Sequence, residues 1–121
     1  MLRFRSAVLL VALVSVAPFA MPGSTFAAVC TKDYGACTLQ LSTSVWTGEP
    51  TILCQQGVPV IKIDITMTCE DLCQSTQSFL RCGNSATAIV TSGCGTGFIV
   101  KLASGRDWED VLTDCSALSG W

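Results

Sequence analysis

The 121-residue chain has no histidine and few charges, with seven basic and nine acidic residues making up 13% of it. Without histidine there is no Ser-His or Cys-His nucleophile pair, no imidazole acid-base catalyst and no His-bearing metal site. No Cys-x-x-Cys occurs either, which removes the common zinc and redox spacings. The formal net charge is −2 and no basic run is present, so nucleic acid and anionic lipid are not expected partners. No segment reaches the roughly 20 consecutive apolar residues of a membrane span.

What the chain does have is eight cysteines behind an apolar N-terminal run. Arg3 and Arg5 form a basic n-region, Ala7 to Ala17 an apolar h-region broken by Pro18, and Thr25-Phe26-Ala27 places small residues where a signal peptidase reads. Residues 1–27 are therefore expected to be a signal peptide and residues 28–121 a single disulfide-rich domain, secreted and extracellular. Cys30, Cys37, Cys54, Cys69, Cys73, Cys82, Cys94 and Cys115 all fall in that domain. An even number in an exported chain of this size reads as four disulfides, and the spacing leaves their connectivity open. Each bridge typically contributes about 2–4 kcal/mol, comparable to the whole net stability of so small a core.

Periodicity supplies an architecture. Cys37 to Thr43 alternates with Leu39 and Leu41 on one face, and Val60 to Thr66 alternates with Ile61, Ile63 and Ile65 opposite Lys62, Asp64 and Thr66. Thr51 to Gln55, around Ile52, Leu53 and Cys54, is a further strand candidate after a loop at Thr47-Gly48-Glu49-Pro50. Ala86 to Thr91 and Phe98 to Leu102 read as a hairpin about Gly93-Cys94-Gly95-Thr96-Gly97, with Phe98, Val100 and Leu102 inward. Two helices are expected. Thr68 and Asp71 can cap one whose inner face is Cys69, Leu72, Cys73, Thr76, Phe79 and Leu80, ending at Gly83-Asn84. In the other, Trp108, Val111, Leu112, Cys115 and Leu118 share a face, with Ser104 as cap and Gly120 as stop. The expected fold class is α+β: two helices packed on one face of an antiparallel, roughly four-stranded sheet, stapled by four disulfides.

Paired carboxylates are the main catalytic option left, but Glu70-Asp71 and the group Asp107, Glu109 and Asp110 sit where helix first turns attract acids. No catalytic, cofactor-binding or metal residue is assigned, and the chain reads as a non-enzyme. Trp46 and Trp121 lie outside the main periodic faces and are the candidate partner contacts.

Some eight-cysteine families are excluded by spacing. The adjacent Cys-Cys pairs of plant lipid-transfer proteins and fungal hydrophobins are absent, as is the late Cys-x-Cys of defensin-type folds. By size, leader and cysteine density the chain resembles the small cysteine-rich effectors secreted by plant-colonising fungi. Within that class, Cys30 to Cys37, the run Ala86-Thr87-Ala88 into Gly93-Cys94-Gly95, and Asp107 to Leu118 resemble segments of the smut killer toxin alpha subunit. The clustered Cys-x-x-Cys-x-Cys of that subunit is missing. The resemblance implies two helices on a four-stranded antiparallel sheet. It also implies one of two roles: an effector that promotes virulence by binding a host extracellular protein or wall component, or a killer-type toxin acting on competing cells.

Overall fold

Two-residue alternation governs far more of the chain than helical periodicity does. The computed structural model describes residues 28–49 and 51–121, and the expected signal peptide lies outside the described residues. Strands β1 (Ala28–Tyr34), β2 (Cys37–Val45), β3 (Val60–Cys69) and β4 (Gln74–Cys82) form an antiparallel meander in the order β1-β2-β3-β4. Strands β5 (Ile89–Gly93) and β6 (Thr96–Val100) pair as a separate hairpin. A single-turn helix, α1 (Trp108–Val111), and a 3-10 turn (Cys115–Ala117) complete the chain.

Register explains the core. Leu39 pairs with Met67, Leu41 with Ile65 and Thr43 with Ile63, so the inward side chains of β2 and β3 form one continuous apolar face. Cys30 joins it from β1, opposite Leu41. Ile89 and Val100, a cross-strand pair of the hairpin, cover this face together with Trp108, Val111, Ala117 and Leu118, and all of them are buried. Each such aliphatic side chain contributes roughly 1.5–3 kcal/mol when withdrawn from water. The opposite face carries Thr31, Gln40, Thr66 and Thr76 in one cross-strand row and Asp33, Thr38, Thr68 and Gln74 in the next. It is polar and carries no second layer among the described residues.

Polar contacts fasten the cover to the sheet. Thr43, buried at the centre, donates its hydroxyl to the Val111 carbonyl at 3.3 Å, satisfying an acceptor at the end of α1. Gln77 of β4 accepts from the Thr91 hydroxyl at 2.6 Å and donates to the Ser92 carbonyl, seating β5 against the meander. Trp108 donates its indole N–H to the Thr87 carbonyl at 2.9 Å, so its polar edge is satisfied within the core.

The α+β expectation of two helices on the sheet is overturned: the fold is mostly β, in two antiparallel sheets. No helix spans 69–82. Cys69 ends β3, Glu70 to Leu72 turn the chain, and β4 resumes with Ser75, Gln77, Phe79 and Arg81 on the less exposed side. The apparent three- and four-residue spacing mixes residues of two strands and a turn, and Leu72, assigned to the buried face, is 90% exposed at φ 70°. The long C-terminal helix is likewise reduced to one turn. Lys101 and Ala103 bond the backbone of Ser119 and Ala117, and this strand-like pairing keeps the chain from continuing as a helix past the 3-10 turn. Asp114, in an extended conformation, caps a separate turn that brings Cys115 to Cys30. Asp107, not Ser104, is the N-cap of α1. Thr51 to Gln55 forms no ladder, and β1 was not anticipated because only Cys30 of its residues is buried.

Close approach of β5 to β4 requires a glycine. A Cβ on Gly93 would stand 2.8 Å from the Ser75 Cβ, whereas one on Gly97 meets nothing nearer than 3.9 Å. Gly93→Ala should therefore lower the melting temperature by several degrees, for a cost of about 1–3 kcal/mol. Gly97→Ala should leave it unchanged or slightly raised; equal melting temperatures for the two variants in a thermal scan would contradict this packing.

Candidate functional site

All eight cysteines are paired: Cys30 with Cys115, Cys37 with Cys69, Cys54 with Cys82 and Cys73 with Cys94. Cys37 and Cys69 face each other in the β2–β3 ladder. The other three bridges each tie a segment outside the meander to it. Cys115 brings the C-terminal turn to β1, Cys94 brings the tip of the second hairpin to the β3–β4 turn, and Cys54 brings the β2–β3 loop to the end of β4. Cys69 and Cys73 thus bond to different elements although no helix carries them.

The β2–β3 loop is braced at several points. Trp46 donates its amide to the Val60 carbonyl at 2.8 Å and its indole N–H to the Glu49 carbonyl at 2.9 Å. Its ring lies over Gly48, where a Cβ would come within 2.5 Å of the indole, so a side chain there would push the ring aside. Lys62 stands 6.0 Å above the same ring. Val58 bonds back to Gln55, Gly83 donates to the Pro59 carbonyl, and the Cys54–Cys82 bridge holds the middle. Leu53 projects from this braced loop with a relative exposure of 101%.

Trp46 is half-buried as part of the loop's support. Trp121 is half-buried against the core near the chain end, where Lys32 donates to the Gly120 carbonyl. Lys32 pairs with Leu39, six residues before Val45, which at ~3.3 Å per residue separates the two regions by ~20 Å along the sheet. The two tryptophans have separate surroundings. Among the described residues the most exposed apolar side chains are others: Leu53, Leu72 at the β3–β4 turn, and the cross-strand pair Val90 and Ile99 on the outer side of the hairpin. Hydropathy pointed Leu53 into a strand; the signal against that is the bracketing of its segment by Pro50 and Pro59 with Gly57 between, which disfavours a central strand.

Several aspartates have structural partners. Asp107 and Asp110 form a reciprocal capping box on α1, and Asp71 accepts from the Cys73 amide at 3.1 Å within the turn. Arg106 bridges Asp110 at 3.3 Å and Asp114 at 2.8 Å. No group of three or more potential metal ligands occurs among the described residues, and no helix among them is long and apolar enough to cross a membrane. No family model, curated protein or solved structure matches the chain.

The Arg106 cluster holds two carboxyls below the ordinary range. Hydrogen bonds from Arg106 first, then from the Ser116 hydroxyl and amide, hold Asp114 at about 2. The Asp107 amide, then Arg106, lowers Asp110. Both carboxyls take up protons more readily in the unfolded chain, near the ordinary value of about 3.9, so their contribution is complete above that value and is lost as pH falls toward 2. Wild type should melt above Asp114→Asn at pH 5, and the gap should close between about pH 4 and pH 2. A gap constant over that window, measured by thermal scans at fixed ionic strength, would contradict the assignment; raised salt should narrow it at pH 5, since these side chains are half-exposed.

Proposed function

We propose that this chain is a secreted cysteine-rich effector of a plant-colonising fungus, promoting virulence by binding a host extracellular protein or wall component. The observation that supports this reading most is the bridging pattern: the segments outside the meander are covalently held to it, and exposed Leu53, Leu72, Val90 and Ile99 are presented on that frame. Holding contact residues in place before binding reduces the ordering cost of association, which is what a recognition domain needs. Four disulfides also suit an oxidising compartment outside the cytosol. Activity resides in surface complementarity and not in catalysis, with Trp46 and Trp121 contributing their exposed edges.

Deleting the gene should impair host colonisation and leave growth in culture unchanged. A wild-type copy should restore colonisation, as should variants with Glu70, Asp71 or Asp110 replaced by the amide, whereas a Cys73→Ala, Cys94→Ala copy should not. Normal virulence of the deletion strain, with growth inhibition of competing microbes by micromolar pure protein, would instead support the killer-type toxin role.

A further inference from the structure

Strand β4 ends the four-stranded sheet, and the direction of its outward peptide groups follows from the ladder. Cys69 donates to the Cys73 carbonyl at one end of the β3–β4 pair, and Gly83 donates to the Pro59 carbonyl at the other. Alternation between these two bonds turns the N–H and C=O groups of Ser75, Gln77, Phe79 and Arg81 toward β3, and those of Gln74, Thr76, Ser78 and Leu80 away from it. No strand among the described residues pairs beyond β4. The Leu80 carbonyl accepts from Arg81 Nη1 at 2.9 Å, which closes that end of the edge. The N–H and C=O groups of Gln74, Thr76 and Ser78 have no protein partner among the described residues.

Open sheet edges are ordinarily guarded by charge, proline, a bulge or a covering segment. The β1 edge has such guards: Lys32 and Asp33 lie on it, and the C-terminal turn is bonded beside it, with Cys115 Sγ 3.6 Å from the Val29 carbonyl oxygen. From Gln74 to Leu80 the β4 edge has no charge, no proline and an unbroken register. Its outer side chains leave the edge clear, because Gln74, Thr76 and Ser78 turn back to Thr68, Thr66 and Asp64 of β3. The free stretch is also complementary to itself. In an antiparallel pair centred on Thr76, Thr76 meets its own copy and Gln74 meets Ser78, so every outward N–H and C=O of the stretch finds a partner. The side chains brought opposite one another are Thr with Thr, Gln with Ser and, on the inner side, Ser75 with Gln77. All are uncharged groups that both donate and accept. We infer that this chain forms a two-fold dimer by antiparallel pairing of β4 with β4 of a second copy, centred on Thr76, which joins the two four-stranded sheets into one continuous sheet. This concerns the assembly of the protein and does not rest on the effector reading.

Sedimentation equilibrium of the oxidised mature chain, from about 10 µM to about 1 mM, tests the dimer. The weight-average mass should rise with concentration toward twice that of the monomer and stop there, because a two-fold pairing uses up the edge. Thr76→Pro removes the central outward N–H, which the β3 ladder does not use, so the variant should still fold while its dissociation constant rises by about 30-fold or more. Thr76→Lys and Thr76→Glu each set like charges opposite one another at the axis and should be monomeric alone. Mixed, these two variants should form a dimer containing one chain of each, a rescue that misfolding could not give. Thr31→Lys adds the same charge in the same cross-strand row at the β1 edge and should associate as wild type does. A monomer mass at every concentration, growth beyond the dimer, undiminished association of Thr76→Pro and Thr76→Lys, failure of the mixed pair to associate, or loss of the dimer in Thr31→Lys would overturn the inference.

Discussion

One-sided burial of the β2–β3 ladder is the constraint on which the rest of the structure depends. Leu39, Leu41, Ile61, Ile63, Ile65 and Met67 present one apolar face, and among the described residues the chain after β4 covers it. That cover is a short hairpin, one helical turn and one 3-10 turn, elements too small to be stable alone. Their stability comes from being held in place. Disulfides with sequence separations of 85 and 21 residues fix the C-terminal turn and the hairpin, and by restricting the unfolded chain each supplies on the order of 3–4.5 kcal/mol. Thr43 and Gln77 then orient what the bridges hold, through bonds that leave no carbonyl stranded at the contacts.

The same device shapes the surface. A loop of this length joining two strands ordinarily samples many conformations, and its ordering opposes binding. Here Trp46 stacks on Gly48 at the base and Cys54 is bonded to Cys82 in the middle, so the loop is held at two points. At the other end of the sheet Leu72 occupies the left-handed region at the β3–β4 turn, where a leucine costs roughly 1–2 kcal/mol more than glycine. The neighbouring Cys73–Cys94 bridge and the Asp71 bond to the Cys73 amide keep the turn in that conformation.

How much of this was legible in the sequence follows from which residues carried an unambiguous period. The alternations at Leu39 and Leu41 and at Ile61, Ile63 and Ile65 gave the two central strands, and Gly93-Cys94-Gly95 gave the second hairpin. Four bridges were expected from cysteine number, and they form. The segment from Cys69 to Leu80 misled because β4 is mostly Ser, Thr and Gln, so its two-residue period is invisible to hydropathy while scattered Leu, Phe and Cys mimic a helical stripe. At the C terminus Trp108, Val111 and Leu118 are indeed buried, but they belong to two separate turns converging on one core and not to one helix. Neither segment took its conformation from local propensity; pairing with β3 decided the first case and pairing with Lys101 and Ala103 the second. Of the candidate site, Trp46 was named for its exposure and acts as a support, while Leu53 was hidden by a strand pattern that finds no neighbour.

Specific bridges fasten the C-terminal third of the chain over the β2–β3 face. Proteolytic peptide mapping of the oxidised, secreted protein without reduction tests it most directly. The expected peptides carry four linked pairs, Cys30 to Cys115, Cys37 to Cys69, Cys54 to Cys82 and Cys73 to Cys94, with no free thiol. A native protein in which Cys94 or Cys115 is bonded to any other cysteine, or is free, would contradict it.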